Sequence, residues 1–211
     1  MKIWILITVA AIIIGIGVVF LFQTVPDLEE NSEEKYQYKF WREEVPMENR
    51  SLIHRVFFSY SHDYGETFSE PKDVSMTEDS SAEPKMMVMG DDVILVWRDE
   101  VPLNSLLSFA ISHDFGKTFE KKRLFEGSFP DIVHKNDILY LTWVEFKPFK
   151  VFYTKSLDRG ETFEEPILIF SPEYEYDPTL NSPKPKFLQD AEILKIKWDF
   201  ISKDYEFIIE Q

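Results

Sequence analysis

The chain has no cysteine among its 211 residues. That excludes disulfide staples, thiolate metal sites and cysteine nucleophiles. Basic charge is scarce as well: 23 Lys and Arg face 38 Asp and Glu, a net charge of −15. Nucleic acid and anionic lipid headgroups both reward a basic surface, so neither is expected as a partner of the folded part. Of the four histidines, His54, His62, His113 and His134, none stands four residues from another, and no metal or other cofactor is expected. Glycine is used sparingly too. Only Gly65, Gly90, Gly116, Gly127 and Gly160 occur after the apolar N-terminus, so each marks a place where the backbone needs it.

That N-terminus, "MKIWILITVAAIIIGIGVVFLF", is uncharged from Ile3 to Phe22, about 30 Å as a helix and enough to cross a bilayer. No small-residue cleavage site follows, so an uncleaved signal anchor over residues 1–22 is expected. An acidic linker, 23–35, comes next, and the folded domain occupies 36–211. Lys2 on one side and "DLEENSEE" on the other place the bulk of the chain outside the cytoplasm of a single-pass cell-membrane protein.

Beyond the linker the sequence repeats itself. Trp41, Trp97, Trp143 and Trp198 each end an apolar alternation of period two: "YQYKFW", "DVILVW", "ILYLTW" and "EILKIKW". Thirteen residues before the last three stand Pro84, Pro130 and Pro185, expected to open a preceding strand. A third strand follows each tryptophan, and after the first three it runs into the frame S-x-D-x-G-x-T-F. Its copies are Ser61, Asp63, Gly65, Thr67, Phe68; Ser112, Asp114, Gly116, Thr118, Phe119; and Ser156, Asp158, Gly160, Thr162, Phe163. Glycine supplies positive φ for a tight hairpin, the aspartate accepts from the turn's amides, the hydroxyls lock the turn, and the phenylalanine starts a fourth strand. A four-stranded antiparallel unit recurring in this way is the sequence mark of a β-propeller blade.

The frame resembles the Asp-box, or bacterial neuraminidase repeat, of the sialidase-like β-propeller superfamily. The resemblance implies an all-β domain, a partial or small propeller of about four blades, with the boxes in a structural role away from the ligand face. It also implies an enzyme or a non-catalytic binding module, since the superfamily includes both.

With the boxes on one face, the loops after the tryptophans are expected on the other. They carry Arg42, Glu43, Glu44, Arg98, Asp99, Glu100 and Glu145, the candidate ligand-face residues, with a glycan or a protein as ligand. Salt bridging among these loops is the plainer expectation. The sialidase resemblance implies an arginine triad clamping a carboxylate, but the third and fourth equivalents of Arg42 and Arg98 are Val144 and Asp199. A binding or scaffolding role without catalysis is therefore expected, ahead of a sialidase-like glycoside hydrolase or a shortened relic. Asn49-Arg50-Ser51 forms a glycosylation sequon. Strand counting yields three, four, four and three across the repeats, which is not expected to close in the usual way: the expectation is either an arc of incomplete blades that associates with a second copy or a partner, or a shortened domain of modest stability.

Overall fold

The computed structural model describes residues 35–47, 52–102, 104–173, 183–190, 193–201 and 203–209, all within one compact unit, Glu34–Gln211. The expected membrane anchor, the linker up to residue 34 and the sequon lie outside the described residues. Among those described, no helix is long and apolar enough to cross a membrane.

Four antiparallel sheets follow one another along the chain, each with its strands in chain order. Sheet 1 comprises β1 (Gln37–Pro46), β2 (Leu52–Ser61) and β3 (Lys72–Asp73). Sheet 2 comprises β4 (Ser80–Met89), β5 (Asp92–Glu100), β6 (Leu106–Ser112) and β7 (Glu120–Glu126). Sheet 3 comprises β8 (Ser128–Lys135), β9 (Ile138–Phe146), β10 (Phe149–Ser156) and β11 (Ile167–Phe170). Sheet 4 comprises β12 (Lys186–Gln189), β13 (Leu194–Phe200) and β14 (Lys203–Ile209). Among the described residues the expected strand count of three, four, four and three is the observed one.

Strand composition follows from where each sheet sits. In β5 both faces are covered: Val93, Leu95 and Trp97 meet Val56 and Phe58 of sheet 1, while Ile94 and Val96 meet Ile132, Leu139 and Leu141 of sheet 3. Hence "VILVW" is continuously apolar. In β13 only Leu194, Ile196, Trp198 and Phe200 are covered, by Val144, Phe149 and Val151 of sheet 3. The alternate residues, Lys195 and Lys197, pair instead with Glu206 at 3.5 Å and Asp204 at 3.0 Å. Among the described residues sheet 4 is the last of the stack, and its outer face mixes these charges with the exposed Leu188 and Ile208. Among the described residues no core cluster joins sheet 4 to sheet 1.

The three S-x-D-x-G-x-T-F turns share one hydrogen-bond network. In the first, the Ser61 hydroxyl donates to Asp63 at 2.6 Å and accepts from the Gly65 amide at 2.9 Å. The Asp63 carboxylate accepts from the Thr67 amide at 2.9 Å and from its hydroxyl. The same bonds recur at 2.7–2.8 Å around Asp114 and at 2.6–2.8 Å around Asp158. Glycine is not alone in the left-handed region: Tyr64, Phe115 and Arg159, just before it, have φ of 62°, 61° and 58°. Two successive positive φ values make the hairpin turn whose twist matches its strands. Phe68, Phe119 and Phe163 stand ahead of the fourth strands rather than in them, a correction to the expectation.

These turns also join the sheets. A Cβ on Gly116 would lie 2.5 Å from the Phe58 ring of sheet 1, and one on Gly160 would lie 2.8 Å from the Phe109 ring of sheet 2. Phe119 meets Phe58 edge-on at 5.0 Å, and Phe163 meets Phe109 likewise at 5.4 Å. Lys72 of sheet 1 donates to the Lys117 carbonyl in the next turn, and Lys122 of sheet 2 to the carbonyls of Gly160 and Glu161.

Two expectations about the first strands are corrected. Pro84 and Pro130 do not open β4 and β8 but stand inside them, at register shifts between Ala82 and Lys85 and between Ser128 and Asp131. Proline has no amide for the ladder, so it is tolerated where the ladder is already broken. The preceding residues, Glu83 and Phe129, take φ of 58° and 54°.

Gly116→Val is expected to cost more than about 2 kcal/mol in urea unfolding, because it combines positive φ with a collision against Phe58. Gly90→Ala, also at positive φ but with nothing within 4 Å of its Cβ, should cost about 1 kcal/mol. Equal costs at the two sites would sink the docking role of the turn glycine.

Acid should act through the same turns. Ser61 and Thr67 hold the Asp63 carboxyl down to about 2, and Thr162 with Ser156 does the same at Asp158. At Asp114 burial pushes upward, but the Thr118 amide and hydroxyl prevail, again to about 2. Each depressed group contributes stability that is present above its unfolded value near 3.8 and is lost as pH falls through about 2. Melting followed from pH 5 to 2 should show this loss, and Asp158→Asn should flatten the profile.

Candidate functional site

The candidate residues after each tryptophan lie on strands rather than on loops. Ala82, Ser81 and Ser80 of β4 pair with Arg98, Asp99 and Glu100 of β5, so the ladder carries on past the tryptophan. In the same way Arg42, Glu43 and Glu44 lie on β1 and Glu145 on β9. Strand alternation then separates neighbours that the sequence lists side by side.

Asp99 points with Trp97 toward sheet 1 and is 0% exposed. Its carboxylate accepts from the Trp97 indole at 2.7 Å and from the Ser81 and Ser108 hydroxyls at 2.7 and 2.6 Å. This is a core anchor, closed to any ligand at this surface. Arg98 points the opposite way, toward sheet 3, where its guanidinium lies 2.7 Å from Glu100 and 3.5 Å from Glu83.

Arg42 shares the face of Tyr38 and Phe40, which look toward sheet 2. The two arginines therefore serve different crevices and are not brought together. Glu43 is exposed and accepts from the Trp41 indole at 3.0 Å, while Glu44 lies 3.5 Å from His54. Glu145 is 3.8 Å from Lys150, and burial raises its carboxyl above the usual range.

What gathers around Arg98 comes from residues flanking the repeated prolines, which the sequence reading did not single out. The first strands β4, β8 and β12 lie side by side. Glu83, before Pro84, accepts the Phe129 amide at 2.7 Å. Asp131, after Pro130, accepts the Phe187 amide at 2.8 Å and lies 3.9 Å from Lys85. Lys184, before Pro185, stands 5.0 Å over the Phe129 ring. Constant proline spacing was the available signal, since equivalent positions in neighbouring sheets share one neighbourhood. Burial raises the carboxyls of both Glu83 and Asp131, against the pull of Arg98 on the first and of the Phe187 amide and Lys85 on the second.

The result is a cluster of alternating charge able to present a guanidinium and an ammonium beside two half-buried acids. Two surface depressions lie elsewhere, one at the first turn beside His62, Asp63 and Phe68, the other beside Leu188, Lys195 and Glu206. Among the described residues no group of three or more His, Asp or Glu side chains is placed to hold a metal ion.

No protein-family model and no curated protein matches the chain. Among solved structures it is similar to the NanB sialidase of Streptococcus pneumoniae, at 13% identity and a TM-score of 0.46, covering 79% of this chain and 32% of the sialidase. It is also similar to a glycosyl hydrolase from Bacteroides ovatus, at 14% and 0.47, covering 78% and 56%. A thermostable family-43 glycoside hydrolase matches at 8% and 0.47, covering 75% and 61%. The chain thus spans less than two thirds of each of these structures.

Asp99→Ala should destabilise the fold by about 3 kcal/mol, because it leaves an indole and two hydroxyls unsatisfied in the core. Glu43→Ala, at the matching position on the exposed face of sheet 1, should cost under about 0.5 kcal/mol. Chemical denaturation of both variants checks the contrast, and a neutral Asp99→Ala would return that residue to the list of ligand candidates.

Proposed function

We infer that this is an Asp-box β-propeller-type domain, held at the outer face of the cell membrane by the Ile3–Phe22 run, that binds or scaffolds rather than hydrolyses. The Asp-box assignment is supported by one bond pattern recurring at three turns. The anchor is supported by the length and polarity of the apolar run.

One observation carries the non-catalytic reading. The half-buried acids of the cluster are already committed, Glu83 to the Phe129 amide and Arg98, and Asp131 to the Phe187 amide and Lys85. A general acid must instead be free to reach the substrate's leaving oxygen. Placed this way, the carboxylates act as joints between consecutive first strands. Arg42 and Arg98 in separate crevices also argue against a shared clamp on one substrate carboxylate.

A glycoside hydrolase is the second reading. It is favoured by the upward shift of both carboxyls on adjacent strands, which a general acid requires. Fluorogenic sialoside, xyloside and fructoside substrates offered to the purified chain between pH 4 and 7 should show no turnover. Turnover that vanishes in Glu83→Gln would replace the binding reading with the hydrolase.

A further inference from the structure

The tryptophans of sheets 2 to 4 all face the preceding sheet and are buried, at 0% for Trp97, 1% for Trp143 and 4% for Trp198. In sheets 3 and 4 the indole stacks beside an aromatic on the neighbouring strand, Trp143 with Phe152 at 5.6 Å and Trp198 with Tyr205 at 5.7 Å. A phenylalanine from the preceding sheet then covers each pair. Phe125 lies parallel to Trp143 at 4.8 Å, and Phe170 is 5.6 Å from Trp198 and 4.8 Å from Tyr205.

Sheet 1 carries the same pair, Trp41 beside Phe57 at 5.9 Å and 19°. Tyr38, Phe40, Val56 and Phe58 point to sheet 2, so Trp41 and Phe57 point the other way. Among the described residues no sheet precedes sheet 1, and this pair stands partly exposed on its outer face. The face is built like an interface and is left uncovered by the described residues.

The outer face of sheet 4 sets the exposed Leu188 and Ile208 among Lys195, Lys197, Glu206 and Asp204 and carries no aromatic pair, a poorer match to the sheet 1 face than that face is to itself. The outer face of β1 matches itself. Lys39, Trp41 and Glu43 alternate on that face, about 7 Å apart, so a two-fold axis through Trp41 sets each Lys39 opposite the Glu43 of the other copy.

We propose that the outer face of sheet 1 is a homodimer interface, formed by Trp41 and Phe57 of two copies of this chain packed about a two-fold axis and framed by reciprocal Lys39 and Glu43 pairs. Two ten-residue strands present a face of roughly 34 by 10 Å, so the pair buries on the order of 700 Å², within the range of weak, transient contacts. Trapping is therefore the suitable readout.

The lack of cysteine makes trapping clean. The full chain carrying Lys39→Cys and Glu43→Cys together, oxidised in its membrane or in detergent, should run as a disulfide-linked dimer on a non-reducing gel. Either substitution alone should give at least about tenfold less dimer, because each new thiol then faces a native side chain of the other copy. Adding Trp41→Glu to the double variant should abolish the dimer while leaving the melting temperature within a few degrees. No dimer in the double variant, or equal dimer in the single variants, would overturn the proposal. So would trapping unaffected by Trp41→Glu, because it would place the contact elsewhere, such as in the membrane segment or with another protein.

Discussion

The stack of sheets rests on one contact, a phenylalanine ring of one sheet seated on the turn glycine of the next. Phe58 occupies the space that a side chain on Gly116 would need, and Phe109 does the same at Gly160. The glycine therefore serves two constraints at once: positive φ for the hairpin and absence of Cβ for the neighbour. Locking the turn by Ser, Asp and Thr matters because the seat must be rigid to receive a ring at van der Waals distance. A lysine from the preceding sheet fastens the same turn from outside through its carbonyls.

A stack of this kind has two ends, and they are treated differently. Sheet 4 turns Lys195, Lys197, Glu206 and Asp204 outward as a ladder of opposite charges, with Leu188 and Ile208 exposed on either side of Lys195 but no aromatic pair. Sheet 1 turns outward an aromatic pair of the type that sheets 3 and 4 bury. Its indole proton is held by Glu43, where Asp99 performs that service inside the core. The same motif is thus solvated at one position and buried at the next. What differs, among the described residues, is the presence of a preceding sheet rather than the residues themselves.

The acids show the same dependence on position. Asp99 and Glu43 stand two residues after equivalent tryptophans, yet one is an anchor with three donors and the other a surface group. Glu83 and Asp131 belong to neither class. They bridge consecutive first strands, Glu83 through the Phe129 amide at the register shift beside Pro130 and Asp131 through the Phe187 amide of the edge strand β12. Their burial leaves them harder to ionise than free carboxyls, so the joints carry a standing electrostatic cost that Arg98 and Lys85 offset.

Local chemistry was legible in the sequence. Four repeats, their strand count, the hairpin at each S-x-D-x-G-x-T-F frame and the positive φ of its glycine all follow from short-range spacing, because period two and turn geometry act within a few residues. Contacts across sheets were not legible. Nothing within reach of Gly116 along the chain announces the Phe58 ring, and Pro84 announces a strand start as readily as a bulge. The candidate site was read as a row of loop residues, and pairing of β5 with β4 turned it into alternating faces, sending Asp99 inward and Arg98 outward to Glu83. The sequence by itself determined which elements form and where they turn, since those choices are made by neighbours in the chain. Only the tertiary structure decided which tryptophan is covered, which carboxylate is buried and which arginines share a crevice, because burial and convergence depend on residues tens of positions away.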